Sequence, residues 1–245
     1  MDIFSSVGNF FSSVGSAISS AVSSIGSALS SFASGVGTVI GGVIETLAPV
    51  AKTIGKFANA FLQGLQILKQ NEIVEDLGDR ALQAADEGIT MDMFEDFDSY
   101  MDALRNFEPD AEKSKKYSLG TKMVAGLGVG TKGVEEKFNA EPGSLDAMWL
   151  LPMANPEYFT PVRMQELVSA GRLGSDTFAY LEKRLTGGES RTFEKRLEVG
   201  ASGSVMDVEQ RDELYQALEN AQDNWSNIID KVGARKQQAL EHLDE

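Results

Sequence analysis

Apolar residues near the amino terminus recur with a period of eleven positions. The stretch "FSSVGSAISSA" at 11–21 is followed by the similar phrases "VSSIGSALSSF" at 22–32 and "ASGVGTVIGGV" at 33–43. Eleven residues make about three turns of an α-helix, so this repeat places the apolar side chains along one face. The strict alternation of a β-strand is missing. The pattern therefore predicts one continuous helix from Phe4 to Leu47, roughly 66 Å long at about 1.5 Å per residue.

The bulky members of this apolar stripe are the side chains that we expect to contact a membrane or a protein partner. They are Phe4, Phe11, Val14, Ile18, Ile25, Leu29, Phe32, Val36 and Ile40. Small residues would let another helix approach closely, and these are Gly15, Ala21, Gly26 and Gly37. Because Ser and Gly are poor helix formers, we expect the helix to be ordered only when its stripe is covered.

Lipid and protein are the two surfaces that could cover the stripe. Residues 11–43 contain no charged side chain. The resulting Ser/Gly polar face resembles that of amphipathic lipid-packing sensors, which insert apolar side chains instead of attracting anionic lipids. Packing against protein, in a helical bundle, a coiled coil or a homo-oligomer, is the alternative. A flexible low-complexity tail is disfavoured, because such tails do not space Phe and Ile regularly.

Beyond residue 70 the pattern changes to short amphipathic helices bounded by Pro, Gly and capping residues, without alternating runs long enough for strands. The sequence thus predicts an all-α fold with three parts. Residues 1–70 form a Ser/Gly/Ala-rich amphipathic helical arm, residues 71–205 an acidic multi-helix body, and residues 206–245 a long carboxy-terminal helix.

The charge distribution narrows the classes of function. The net charge is −15, and all of the acidic excess lies outside residues 1–71, which carry a net charge of +1. An acidic body argues against direct nucleic-acid binding, which needs clustered Lys and Arg. The chain has no Cys and one His, which excludes thiolate sites and disfavours His-based metal sites. We therefore expect no metal, no cofactor and no catalytic residues, and we find no secretory signal peptide in the sequence.

Three stretches contain residue types that also occur at active or metal sites. "GLGVGTKG" at 126–133 lacks the order of a phosphate-binding loop, so its glycines are better explained by close packing. The acidic residues between Asp92 and Asp102 are interleaved with Phe and Met, which is typical of a solvated helix face. "GGES" at 187–190 resembles the Glu-Ser pair of lytic transglycosylases, but a helix-capping role for Glu189 is favoured over that of a general acid.

An uncharged, repeated amphipathic arm joined to an acidic helical body resembles the architecture of virion penetration and genome-delivery proteins, such as phage pilot proteins. The resemblance implies a non-enzymatic structural protein, located in a virion or at a host membrane, whose amino-terminal helix is membrane-active or self-associating. Its partners would be a homo-oligomer or a larger protein assembly and a membrane surface. The alternative is a capsid or tail scaffold component whose amino-terminal helix packs only against protein.

Overall fold

The computed structural model describes residues 15–200 and 203–241, and within these ranges the chain is built from helices without strands, which confirms the all-helical class. Residues 15–23 form α1. The further α-helices are α2 (Ser30–Ser34), α3 (Val36–Thr46), α4 (Ala48–Gly64), α5 (Val74–Asp86), α6 (Phe97–Asn106), α7 (Ala111–Ser114), α8 (Leu119–Lys137), α9 (Leu150–Ala154), α10 (Pro161–Ser169), α11 (Thr177–Leu181), α12 (Gly187–Arg196) and α13 (Val208–Glu241). Single 3-10 turns occur at Ser27–Leu29 and Met91–Met93.

Within the described residues, the predicted continuous amino-terminal helix is broken into shorter pieces. After α1 the chain turns, and the 3-10 turn Ser27–Leu29 leads into the short α2. The axis then bends by 58° at Gly35, where α3 begins. Ser and Gly make helix breaks inexpensive, and folding back lets the apolar stripe pack on the rest of the molecule. Burial of the stripe therefore outweighs continuity of the helix.

Helix α8 lies at the centre of the molecule and is buried along most of its length. The close packing expected of its glycines is confirmed where α8 crosses α5. A Cβ atom on Gly126 would overlap the carbonyl oxygen of Val74, and one on Gly78 would overlap that of Lys122. The two backbones are thus in direct contact, which only glycine permits. The stretch 126–133 is the middle of a core helix and not a loop.

The remaining helices extend the same core. Trp149 packs edge-on against Phe57 and Phe61 of α4, and its indole nitrogen donates a hydrogen bond to Thr131 Oγ1 at 2.8 Å. Helix α13 buries Trp225 and reaches back to the amino-terminal part of the chain, where Arg235 Nη1 donates to the carbonyl oxygen of Thr46 at 2.5 Å. One apolar core therefore joins residues from α1 to α13.

Candidate functional site: the seat of the amino-terminal segment

The amino-terminal segment, defined here as residues 15–34, lies on a surface formed by α3, α8, Met91–Asp92 and Asp146, which we call the seat. Four stripe residues of the segment are almost completely buried, with exposed fractions of 1% for Ile18 and 0% for Ile25, Leu29 and Phe32. Farther along, Ile40 is buried and Val36 is partly buried. The predicted contact residues Phe4, Phe11 and Val14 lie outside the described residues. The stripe is thus covered by the chain's own helices.

The four predicted small residues occupy different environments. A Cβ atom on Gly15 would lie 3.1 Å from Thr38 Cβ, and one on Gly26 would lie 2.9 Å from Met91 Cβ. One on Gly37 would lie 2.7 Å from the carbonyl oxygen of Phe32. All three glycines are buried, whereas Ala21 is partly buried. The glycines allow close approach between parts of the same chain.

Two further glycines shape the seat, and the eleven-residue repeat does not identify them. Gly128 of α8 faces the segment, because a Cβ atom there would lie 3.0 Å from Phe32 Cδ1 and 3.3 Å from Leu29 Cδ2. Gly41 of α3 leaves room for Ile18, whose Cδ1 atom would overlap an added Cβ. The seat is therefore concave at the positions where the bulkiest stripe residues enter it.

Asp92 is the first polar anchor of the segment. Its carboxylate accepts hydrogen bonds from the backbone N–H and the hydroxyl of Ser27, both at 2.8 Å. The neighbouring N–H of Met91 donates to the carbonyl oxygen of Ile25 at 2.7 Å. Asp92 thus accepts hydrogen bonds at the start of the 3-10 turn Ser27–Leu29. A capping residue normally provides such an acceptor from within its own helix.

The sequence pattern predicts a solvated helix face at Asp92, whereas in the structure its carboxylate binds Ser27. The helix expected across Asp92 to Asp102 begins only at Phe97, and Asp96 is its N-cap, accepting a hydrogen bond from the N–H of Ser99 at 2.7 Å. Hydrogen bonds from the backbone and side chain of Ser99 lower the pKa of Asp96. The residues before it are free to form the separate turn that holds Ser27.

Asp146 is the second anchor and belongs to a buried charged group. Its Oδ2 accepts a hydrogen bond from the hydroxyl of Ser31 at 3.1 Å, and its Oδ1 lies 3.5 Å from Lys132 Nζ. Lys132 also contacts Glu135 Oε2 at 2.8 Å. Glu135 Oε1 in turn accepts from the N–H groups of Gly143 and Leu145. The loop carrying Asp146 is therefore fixed to α8, and Ser31 is held from a rigid support.

Glu189 is a helix-capping residue. Its carboxylate accepts from the N–H and the hydroxyl of Thr186, both at 2.8 Å, and its own N–H donates back to Thr186 Oγ1. The hydrogen bonds from Thr186 lower the pKa of Glu189. These reciprocal hydrogen bonds form a capping box at the start of α12. In the part of the chain that the structure covers, no group of three acidic or His side chains could hold a metal ion.

Among the described helices, none is by itself long and apolar enough to cross a membrane. Together, Ser27–Ser34 and Val36–Thr46 are long and apolar enough to cross a membrane, although their axes are bent by 58° at the residue between them. Core helices of soluble proteins can be equally long and apolar.

Comparison of the chain with protein-family models, with curated proteins and with solved structures finds no match.

Proposed function

We propose that this chain is a non-enzymatic structural protein of a virion-type particle, which stores its amino-terminal segment on its own body and releases it to a membrane. The release would aid membrane penetration or genome delivery. The observation that carries the proposal is the bent pair of helices at residues 27–46. These residues together have the apolarity of a membrane span, but the chain bends by 58° at Gly35, so that residues 27–34 lie on the seat and α3 forms part of it.

The length of this stretch fits the proposal. Straightened into one helix, residues 27–46 would measure about 30 Å at about 1.5 Å per residue, which matches the hydrocarbon thickness of a bilayer. Their single charged side chain is Glu45, close to the carboxy-terminal end. In the released state, we expect the eleven-residue repeat to form the continuous helix that the sequence predicts from Phe4 to Leu47.

Release requires a surface that covers the same side chains. Ile18, Val22, Ile25, Leu29 and Phe32 are almost fully buried. Each such side chain contributes roughly 1.5–3 kcal/mol. Together they contribute about 7–15 kcal/mol, as much as the total stability of a typical domain. Helix α3 would have to leave α8 in the same step, which adds the loss of its buried side chains Ile40, Val43 and Ile44. Water cannot offset the loss of that burial, whereas the interior of a bilayer can. The segment should therefore stay stored until it meets lipid.

A disulfide that locks the segment in place tests this proposal. The chain has no native Cys, and the side chains of Ser27 and Asp92 are in contact, with Ser27 Oγ 2.8 Å from Asp92 Oδ1. The double substitution Ser27→Cys and Asp92→Cys therefore introduces two thiols at contacting positions, and the fraction that forms the disulfide is measured first. Flotation with small, highly curved neutral vesicles would be measured for the oxidised and the reduced form of the same protein. We expect the reduced form to float with the vesicles and to release an entrapped dye. The oxidised form should stay at the bottom of the gradient.

The Ser27→Cys single variant, treated with the same oxidant, is the matched control and should float under both conditions. Equal flotation of the locked and unlocked forms would mean that the stored segment is not the lipid-binding element. If the wild-type protein neither floats nor causes leakage, the membrane function is wrong.

A second candidate is a scaffold component whose amino-terminal helices pack only against protein. The complete coverage of Ile25, Leu29 and Phe32 by protein favours it. Replacing Ile18, Ile25 and Leu29 with Ser would not separate the two candidates, because these side chains are part of the core and their loss would unfold the body. The disulfide lock leaves the core intact. Absence of vesicle binding by the reduced form would support the scaffold function.

A further inference from the structure

The hinge that joins the segment to the rest of the chain is a single residue. Gly35 ends α2, donates its N–H to the carbonyl oxygen of Ser31 at 3.0 Å, and is followed directly by α3. A Cβ atom on Gly35 would lie 2.9 Å from that same oxygen, closer than side chains tolerate in the bent arrangement. The bend thus depends on glycine, and the two flanking helices are long enough to merge into one if it opens.

Opening the hinge would uncover two apolar surfaces and not one. The first is the stripe of the segment, which lipid or protein could cover. The second is the seat itself, with the hollow at Gly128 that accommodates Phe32 and the hollow at Gly41 that accommodates Ile18. An uncovered seat would expose part of the core to water, which is unfavourable.

The shape and polarity of the seat identify what could refill it. Its hollows match the side chains at positions 18, 29 and 32 of this sequence. Asp92 and Asp146 are placed to accept from the hydroxyl groups of Ser27 and Ser31, one helical turn apart. An identical segment from another molecule satisfies all of these requirements at once.

We propose that the seat also accepts the amino-terminal segment of a second copy of this chain, by reciprocal exchange about Gly35. In the exchanged dimer residues 27–46 form one straight helix in each protomer, and both seats are filled in trans with the contacts described above. Exchange needs no lipid, so this proposal does not depend on the membrane function.

Cross-linking between two different single variants tests the exchange. Protein carrying only Ser27→Cys is mixed with protein carrying only Asp92→Cys, unfolded together in denaturant, refolded at high concentration without lipid, and oxidised. In the exchanged dimer the two introduced thiols face each other across the protomers. We expect at least about tenfold more disulfide-linked heterodimer than from Ser27→Cys mixed with Asp102→Cys, because adjacent thiols have a far higher effective concentration. Asp102 has a side chain that is 76% exposed.

Gly35→Ala provides the second measurement. The added methyl group disfavours the bend, so the dimer fraction in size-exclusion chromatography with light scattering should rise several-fold above that of the wild type. Gly188→Ala, where the structure leaves open space around the added methyl group, should not change it. A dimer that shows no excess of the Ser27/Asp92 cross-link over the control pair would overturn the proposal, as would a mixture of the two Cys variants with Gly35 intact that gives no excess after refolding. The cross-link uses the native hinge, so it decides the question even if Gly35→Ala does not fold.

Discussion

At the scale of single residues, a large apolar contact and a few hydrogen bonds hold the amino-terminal segment on the seat. The stripe positions follow from the eleven-residue repeat, because periodic burial is visible in the sequence. The anchors do not, because Ser27 and Asp92 are 65 positions apart and Ser31 and Asp146 are 115 apart. Nothing local distinguishes Asp92 from an acidic residue on a solvated surface.

Asp92→Ala should therefore destabilise the protein although its side chain is exposed. The substitution leaves the N–H and the hydroxyl of Ser27 without their acceptor, which resembles the loss of a helix cap. We expect the free energy of unfolding in urea to fall by about 1–2 kcal/mol.

The matched control is Asp230→Ala, at an exposed position in the long helix α13. Alanine is the better helix former there, so stability should stay the same or rise slightly. Equal losses for the two variants would show that Asp92 does not act as an anchor.

At the scale of helices, local propensity and tertiary packing favour different structures at the amino terminus. The repeat alone favours a straight helix. The seat on α8 lies far from the segment in sequence, and packing against it stabilises a chain path that folds back at Gly35. The all-helical class was predictable from caps and periodicity. The position of this bend was not, because it depends on the packing of Leu29 and Phe32 against Gly128 of α8, which lies far away in sequence.

Gly126→Ala should be strongly destabilising, although alanine is the better helix former. The added Cβ atom would overlap the carbonyl oxygen of Val74, so α5 and α8 would have to move apart along their whole contact. We expect a loss of roughly 3 kcal/mol in the free energy of unfolding, at the upper end of the range for overpacked cores.

Gly55→Ala in α4 is the control for this substitution. The Cβ atom at that position would meet the flexible end of Met123 at 3.3 Å. Thermal unfolding should show a higher or unchanged midpoint for Gly55→Ala and a lower one for Gly126→Ala. A similar midpoint for both variants would mean that the backbone contact between α5 and α8 is not tight.

At the scale of the whole molecule, charge and burial are separated along the chain. The uncharged residues 11–43 contribute their apolar stripe to the core, while the acidic excess lies on the other helices. The acidic surface should keep separate molecules apart at low ionic strength, and added salt should weaken that repulsion. Exchange of segments between copies is therefore expected to increase with salt concentration.

The pKa values of all five tyrosines of the chain are raised in the folded protein. Burial is the main cause that raises the pKa of Tyr100, Tyr117, Tyr158 and Tyr180. For Tyr215, the hydrogen bond that its hydroxyl donates to Glu198 comes first, and it raises the pKa to about 12. In the unfolded chain these phenols lose their protons near pH 10.

The protein should consequently lose stability in alkali. Between about pH 10 and pH 12 the unfolded chain releases tyrosine protons that the folded chain still holds, so rising pH shifts the equilibrium towards unfolding. Absorbance of tyrosinate near 295 nm and helical circular dichroism, recorded along one alkaline titration, would test this. We expect little tyrosinate at pH 10 and a steep rise that coincides with the loss of helix at higher pH. In concentrated urea the same titration should centre near pH 10. A gradual rise centred there in the folded protein, with the helix intact, would contradict both the burial of these phenols and the bond between Tyr215 and Glu198.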